Sequence, residues 1–276
     1  MLKTQNEELN KILENSKKIV FFGGAGVSTE SGIPDFRSQD GLYNQEYDYP
    51  PETILSWTFF RDNPKEFYRF YRDKMLGMDH PVSSAATPPE EGNFGYQPNN
   101  AHKWLAENKI PVLTQNIDGL HSIALGVDPS ENQLKYDICE LHGSIWRNHC
   151  SKCGKFYGLE KIEKSVNEKD GIPRCTNTGM SGLECKGIIK PDVVLYEEGL
   201  PSDVWSRAEQ LIAEADTMIV GGTSLIVYPA AGLVRLFASK EIGGKSRKLV
   251  VINRDQSPAD SWADLSIHGS IGEVLN

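Results

Sequence analysis

The chain has 276 residues, a formal net charge of −9 and five cysteines. That length supports one large domain, or a large one with a smaller companion. An excess of 38 acidic over 29 basic side chains argues against nucleic-acid binding by general electrostatics. The opening stretch MLKTQNEELNKILENSKK is too polar for a signal peptide, and no apolar run nears the roughly 20 residues that span a bilayer, so no membrane association is expected. An odd number of cysteines, two of them close together, fits a reducing compartment and a metal better than disulfides, and a cytoplasmic location is expected.

Leu9, Ile12 and Leu13 at helical spacing predict a helix over residues 7–17. The run Ile19-Val20-Phe21-Phe22 is too short for a helix and rich in β-formers, and predicts a buried strand. It leads straight into Gly23, Gly24, Ala25 and Gly26, then Ser28 and Thr29. Small residues there let the backbone approach a ligand, and the N–H groups that follow can face an anion such as a pyrophosphate. The spacing is not G-x-G-x-x-G, so a plain tight turn explains these glycines about as well. What marks the loop as functional is its sequel, SGIPDFR, where Pro34 stiffens a segment carrying Asp35, Phe36 and Arg37.

Residues 38–57 read as a long surface loop. Asn63, Pro64 and Glu66 read as N-cap, first helical residue and capping-box acid of a helix that buries Phe67, Phe70 and Tyr71. Residues 77–98, rich in Pro, Gly and Ser, read as an exposed excursion. A helix over 99–108 and a strand over 111–115 deliver NIDGLH, and a strand around 137–141 ends at His142-Gly143. A strand over 192–195, a helix over 202–215 and a strand over 217–220 follow, the last ending in Gly221-Gly222-Thr223-Ser224. A helix near 229–238 precedes a strand over 248–252 that ends at Asn253. This alternation predicts a parallel sheet with helices on both faces, whose ligands bind at the carboxyl ends of the strands. GAGVST, QNID, HG, GTS and NRD each follow a strand, so one site built from five loops is expected.

Cys150-x2-Cys153 followed by Cys175 and Cys185 has the makings of a tetrahedral thiolate zinc site, although the second pair is wider apart than in a usual ribbon. Four thiolates leave no open coordination position, so such a metal would hold the fold and not catalyse, with free thiols or redox chemistry as the alternative. Cys139, on a strand, reads as a small buried apolar residue. His142 and His121 both follow strands near other polar residues, and position alone does not choose between them as a base. His102, at a helix start, reads as a capping or packing residue. Gln115, Asn116 and Asp118 have the groups to grip a carboxamide, and an Asx-turn at Asp118-Gly119 is the plainer alternative.

Taken in order, GAGVSTESGIPDFR, TQNIDGLH, ELHGS, the four cysteines, KPDVVLYEEGLP, GTSL and INRD resemble the sirtuin family of NAD-dependent protein deacylases, of bacterial type, over about Glu8 to Leu275. The resemblance implies a Rossmann-like NAD-binding domain over 1–40, 99–145 and 186–276. It implies a small domain over 41–98 and 146–185, made of a helical insert and the zinc module. It places Ala25, Gly26, Thr29 and Arg37 on NAD, with Phe36 shielding the nicotinamide ribose and Gly24, Asp35, Gly222 and Arg254 in the same cofactor set. Gln115 would contact that ribose, and Asn116, Ile117 and Asp118 would form the nicotinamide pocket. Thr223, Ser224, Asn253 and Ile271 would line the phosphate and adenosine end. His142 takes the general-base role, with Asn116 beside it as a catalytic residue, and Val193, Val194, Leu195, Tyr196 and Glu197 would pair with an acylated-lysine peptide as an added strand.

The reaction so implied has the acyl oxygen attack C1′ of the nicotinamide ribose and expel nicotinamide. His142 then takes a ribose hydroxyl proton, and water releases free lysine and O-acetyl-ADP-ribose. Gly23 stands where many members carry Thr, which would soften the first loop, and Lys74 stands where succinyl-removing relatives carry Arg, favouring acetyl. A monomer is expected. The alternatives are a mono-ADP-ribosyltransferase using the same NAD site and a zinc-containing NAD- or ADP-ribose-binding module. Intact ELHG and QNID favour the deacylase over both.

Overall fold

The structure, a computed structural model, describes residues 2–35, 49–77, 95–179, 182–239 and 247–276. Phe36, Arg37 and most of the 77–98 excursion therefore lie outside the described residues. Nine strands occur among them: β1 (Ile19–Gly23), β2 (Val112–Thr114), β3 (Ile138–Glu140), β4 (Gly143–Cys150), β5 (Phe156–Tyr157), β6 (Ile189–Val193), β7 (Thr217–Gly221), β8 (Lys248–Asn253) and β9 (Leu265–His268). Two compact units divide the chain, one over 1–35, 97–142 and 200–276, the other over 36–96 and 143–199.

The larger unit is built on a parallel sheet of order β3-β2-β1-β7-β8-β9. Its central strands β1, β7 and β8 are buried on both faces, which is why they read as apolar runs. Alternation sorts their side chains into two cores. Val20, Phe22, Leu113, Met218, Val220 and Val251 pack with Leu211, Ile212, Val234 and Phe237 of the helices Ser202–Glu214 and Gly232–Ala238. Phe21, Val112, Ile219, Val250, Ile252 and Ile267 pack with Leu9, Leu105 and Ile271 of the helices Leu2–Asn15, Asn100–Glu107 and Ile271–Val274. The fold is the expected one, a doubly covered parallel sheet.

The smaller unit has an antiparallel sheet, β5-β4-β6, and an aromatic helical cluster. Phe67 and Tyr71 stack at 5.6 Å, Phe60 and Tyr68 meet Phe67 edge-on, and the Tyr68 hydroxyl donates to the carbonyl of Ile189.

Four expectations change. The strand expected over 192–195 runs over Ile189–Val193 and pairs antiparallel with β4. That pairing carries residues 143–145 and 186–199 into the smaller unit and not the larger. The surface loop read over 38–57 contains the helix Pro51–Ile54 and the start of another, Trp57–Asp62. Asn63 is the N-cap and Pro64 the first helical residue, but the Asn63 side chain makes no cap bond. A capping box does form at Asn99, whose partner is His102.

Candidate active site

The order of the larger sheet reverses between β1 and β7, and open α/β sheets bind ligands at such a switch point. The loops leaving these two strands touch there. The Gly24 N–H donates to Gly221 C=O at 3.2 Å, and the Gly26 N–H to Gly222 C=O at 2.8 Å. A Cβ on Gly26 would lie 2.8 Å from the Gly222 Cα, and Gly222 itself sits at φ +59°, so this contact requires glycine on both sides. Thr29 Oγ1 closes the turn onto the Gly26 carbonyl at 3.0 Å.

Thr223 is gripped from the ends of two other strands, β8 and β2. Its N–H donates to Asn253 Oδ1 at 3.0 Å, its C=O accepts from Asn253 Nδ2 at 2.7 Å, and its hydroxyl oxygen accepts from Gln115 Nε2 at 3.1 Å. Behind the first loop lies a buried polar set. Ser28 Oγ donates to Asp118 Oδ2 at 2.7 Å and accepts from Asn116 Nδ2 at 3.0 Å, while the Asn116 N–H reaches Thr114 Oγ1 at 3.0 Å. Asp118 Oδ1 accepts the Leu120 N–H at 2.9 Å. The Asx-turn is therefore present, and the second carboxylate oxygen remains committed to the polar set. Burial raises the pKa of Asp118, and the Leu120 N–H and the Ser28 hydroxyl oppose it.

The two candidate histidines separate clearly. His142 is half-buried and its Nδ1 lies 3.1 Å from the carbonyl of Gln115. A carbonyl only accepts, so the neutral ring carries its proton on Nδ1 and presents Nε2 as a base. Burial lowers its pKa, the Gln115 carbonyl partly opposing this, so it is neutral at pH 7. His121 is buried between helices, with its ring 4.6 Å from that of His102 and 6.1 Å from Phe21. Neither of its nitrogens has a partner among the described residues, and burial pushes its pKa down to about 4. It is a packing residue, as is His102, which also caps its helix.

In the smaller unit Cys150, Cys153, Cys175 and Cys185 bring their sulfurs within 4.8 Å of one another. The Cys150–Cys185 and Cys153–Cys175 separations are 3.7 and 3.6 Å. Zinc–sulfur bonds of about 2.3 Å in a tetrahedron give edges of about 3.8 Å, so the donor set fits zinc. Cys153 is pulled down to about 6, first by the Lys155 N–H, whereas Cys185, despite the Gly187 N–H, is pushed up to about 11 by desolvation and the three other thiols. Four sulfurs this close ionise together only around a cation. Within the wide Cys175–Cys185 interval, Thr178 is bridged to Glu184 and the Cys185 N–H is bonded to Asn177 C=O at 2.7 Å. A Cβ on Gly187 would meet the Cys150 sulfur at 2.7 Å, so close passage of the chain is part of the site. Cys139 is buried as expected, its thiol pushed up to about 12 by desolvation.

The Sir2 family model matches residues 24–229. A Clostridium acetobutylicum protein named NAD-dependent protein deacetylase is 47% identical over 275 residues, covering 97% of this chain and 95% of its own. The chain belongs to the Sir2 family. Two solved Sir2 structures are similar across nearly all of it. One, with a deacetylated p53 peptide and 3′-O-acetyl-ADP-ribose, gives a TM-score of 0.77 at 33% identity, covering 98% of this chain and 95% of that one. The other, with p53 peptide and NAD+, gives 0.75 at 33%, covering 97% and 94%.

Within this Sir2 chain the strand-end loops bring together Gly24, Gly26, Thr29, Gln115, Asn116, Asp118, His142, Gly222, Thr223 and Asn253. Ser224 and Arg254 are exposed on the same loops, while Ala25, Asp35 and Ile117 are partly buried. Ile271 commits its side chain to the core, its Cδ1 set against Gly221. In the sequence Ser28 is only a small loop residue, and in the fold it is the hub of the polar set. Its partners lie 88 and 90 residues away, so no local spacing marks it.

Proposed function

We propose that this Sir2 chain is an NAD-dependent protein-lysine deacetylase that yields nicotinamide, free lysine and O-acetyl-ADP-ribose. The observation that carries the reading is His142, neutral and held by Gln115 so that Nε2 is the basic atom. Nicotinamide-ribosyl chemistry needs a base for a ribose hydroxyl, and a base poised near neutrality suits it. NAD would be held by the glycine contact of the first and β7 loops, by Gln115, and by the Thr223–Asn253 pair. Asn116 and Asp118, fixed by Ser28, would orient the carboxamide. Zinc, held by the four cysteines, would stabilise the fold of the smaller unit and take no part in the chemistry.

The acylated peptide would add a strand along residues 193–197. Several main-chain groups there are engaged. The Tyr196 N–H and C=O bond Leu55 and Trp57 at 2.9 and 3.0 Å, the Leu195 N–H bonds the Glu198 carboxylate at 2.8 Å, and the Val193 C=O accepts from Lys190 Nζ at 2.9 Å. Val194, engaged by none of these, is the residue that would pair with substrate. Lys74 is paired with Asp73 at 3.1 Å, which supports a preference for uncharged acetyl over acidic acyl groups.

Mass spectrometry of protein, NAD and an acetyl-lysine peptide tests the proposal, beside His142→Ala. Nicotinamide, deacetylated peptide and O-acetyl-ADP-ribose in equal amounts are expected, falling by about 10²–10⁴-fold in the variant. ADP-ribose attached to protein, with the peptide still acetylated, would replace the deacetylase by a transferase.

A further inference from the structure

The NAD loops carry one side-chain link that the reaction chemistry does not require. Glu30 lies in the first loop, just past Thr29, and its carboxylate reaches across to the carboxyl-terminal turn. Oε1 accepts both the Ser270 hydroxyl and the Gly272 N–H, the latter at 2.9 Å. These two residues flank Ile271, whose side chain packs on Gly221 at the base of the β7 loop. The neighbouring turn is tied to β8, because the Gly269 N–H donates to Asn253 C=O at 3.0 Å. The first loop, the β7 loop, the end of β8 and the 269–272 turn thus form a closed circuit, in which Glu30 joins the first to the last.

We infer that Glu30 is a positioning residue for NAD, a clip that sets the 269–272 turn against the first loop and so fixes the adenosine end of the site. The inference rests on the NAD-binding reading above. Glu30 is itself exposed, so its bonds do little for the core. Gly272 records how close the clip is: a Cβ there would stand 2.3 Å from Glu30 Oε2. The carboxylate is the mobile end of a long side chain, so a methyl at 272 would push it aside and leave the backbone in place. Gly272 also lies in a helical turn, where alanine is intrinsically favoured over glycine by about 1 kcal/mol. Gly272→Ala therefore breaks the clip from the opposite side without unfolding anything.

The test measures ADP-ribose binding by calorimetry and steady-state kinetics on the full chain for Glu30→Ala, Gly272→Ala, the double variant and Glu30→Gln. Each single variant is expected to weaken ADP-ribose and raise KM for NAD about threefold to tenfold, the worth of a net hydrogen bond or two. The kcat and the peptide KM stay unchanged, and so does Tm in Glu30→Ala. The double variant is no worse than either single one, since both remove the same contact. Glu30→Gln, which keeps a carbonyl acceptor at Oε1, restores both constants. Unchanged ADP-ribose affinity in both single variants, additive losses in the double, or a fall in kcat with KM unmoved would each overturn the clip. Binding of ADP-ribose without peptide turnover would count against the deacetylase reading alone and leave the clip testable.

Discussion

The strand-end loops of the larger unit and the cysteine cluster of the smaller one reach order by different means. In the loops, Ser28, Asn116, Asp118, Gln115, Thr223 and Asn253 satisfy one another, so the polar groups are in place before any ligand arrives. In the cluster, four sulfurs crowd together, and the few N–H and O–H donors around them do not neutralise four thiolates as a cation does. The loops are preorganised for a ligand that comes and goes, and the cluster is organised by one that stays.

Chelation of zinc should have the largest effect. Structural zinc contributes about 10–16 kcal/mol of binding free energy to folding. Circular dichroism and proteolysis should show loss of the β4–β6 sheet region, while ADP-ribose binding to the larger unit survives in part. Unchanged proteolysis of residues 143–199 after complete zinc removal would erase the contrast.

Next in size is the proton on His142. Its pKa is lowered by burial, so the acid limb of kcat/KM should lie below the ordinary imidazole value of about 6.5, with a plateau above it. A limb centred above 7 would show that another group titrates.

His121 tests stability in place of activity. Its folded pKa, about 4, lies below the unfolded value, so the fold accepts only the neutral ring. Above about pH 6.5 both states are neutral and the stability is fully present. As pH falls from there toward 4 the unfolded chain takes up the proton first, and on the order of 3 kcal/mol is lost. His102, lowered in the same direction by burial and by its neighbour His121, steepens the slope. Urea midpoints between pH 7 and 5 should drop in the wild type and drop less in His121→Phe. Parallel slopes would place the titration elsewhere.

Much of this was readable in the sequence because it is local. The runs Ile19–Phe22 and Thr217–Val220 announce buried strands, each strand is followed at once by its polar loop, and the cysteine pair 150–153 has a knuckle's spacing. What sequence hides is pairing at a distance. Ser28 gains its meaning only when β1 and β2 lie side by side. The strand Ile189–Val193 looks like one more parallel strand until β4 is seen to pair with it antiparallel. His121 and His142 follow strand ends alike, and only burial tells a packed ring from a base.

Gly23 gives the smallest and most exacting test of how tightly the first loop is prepacked. As a glycine at the end of β1 it suggests a soft loop, yet it is buried, and a Cβ there would stand 2.7 Å from the Phe21 ring and 3.2 Å from Val27 Cγ2. Two effects oppose each other in Gly23→Ala. Losing glycine's unfolded-state freedom favours alanine by about 0.4–1 kcal/mol. Overpacking a filled site costs about 1–3 kcal/mol. The outcome turns on whether the ring can yield, and Phe21 is fully buried in a core with Val112, Ile219 and Ile271. A ring so enclosed moves only with its neighbours, so overpacking wins. Gly23→Ala should lose about 1 kcal/mol and weaken ADP-ribose slightly. A gain in stability would mean that the loop has slack, and the contrast with the cysteine cluster would be one of degree.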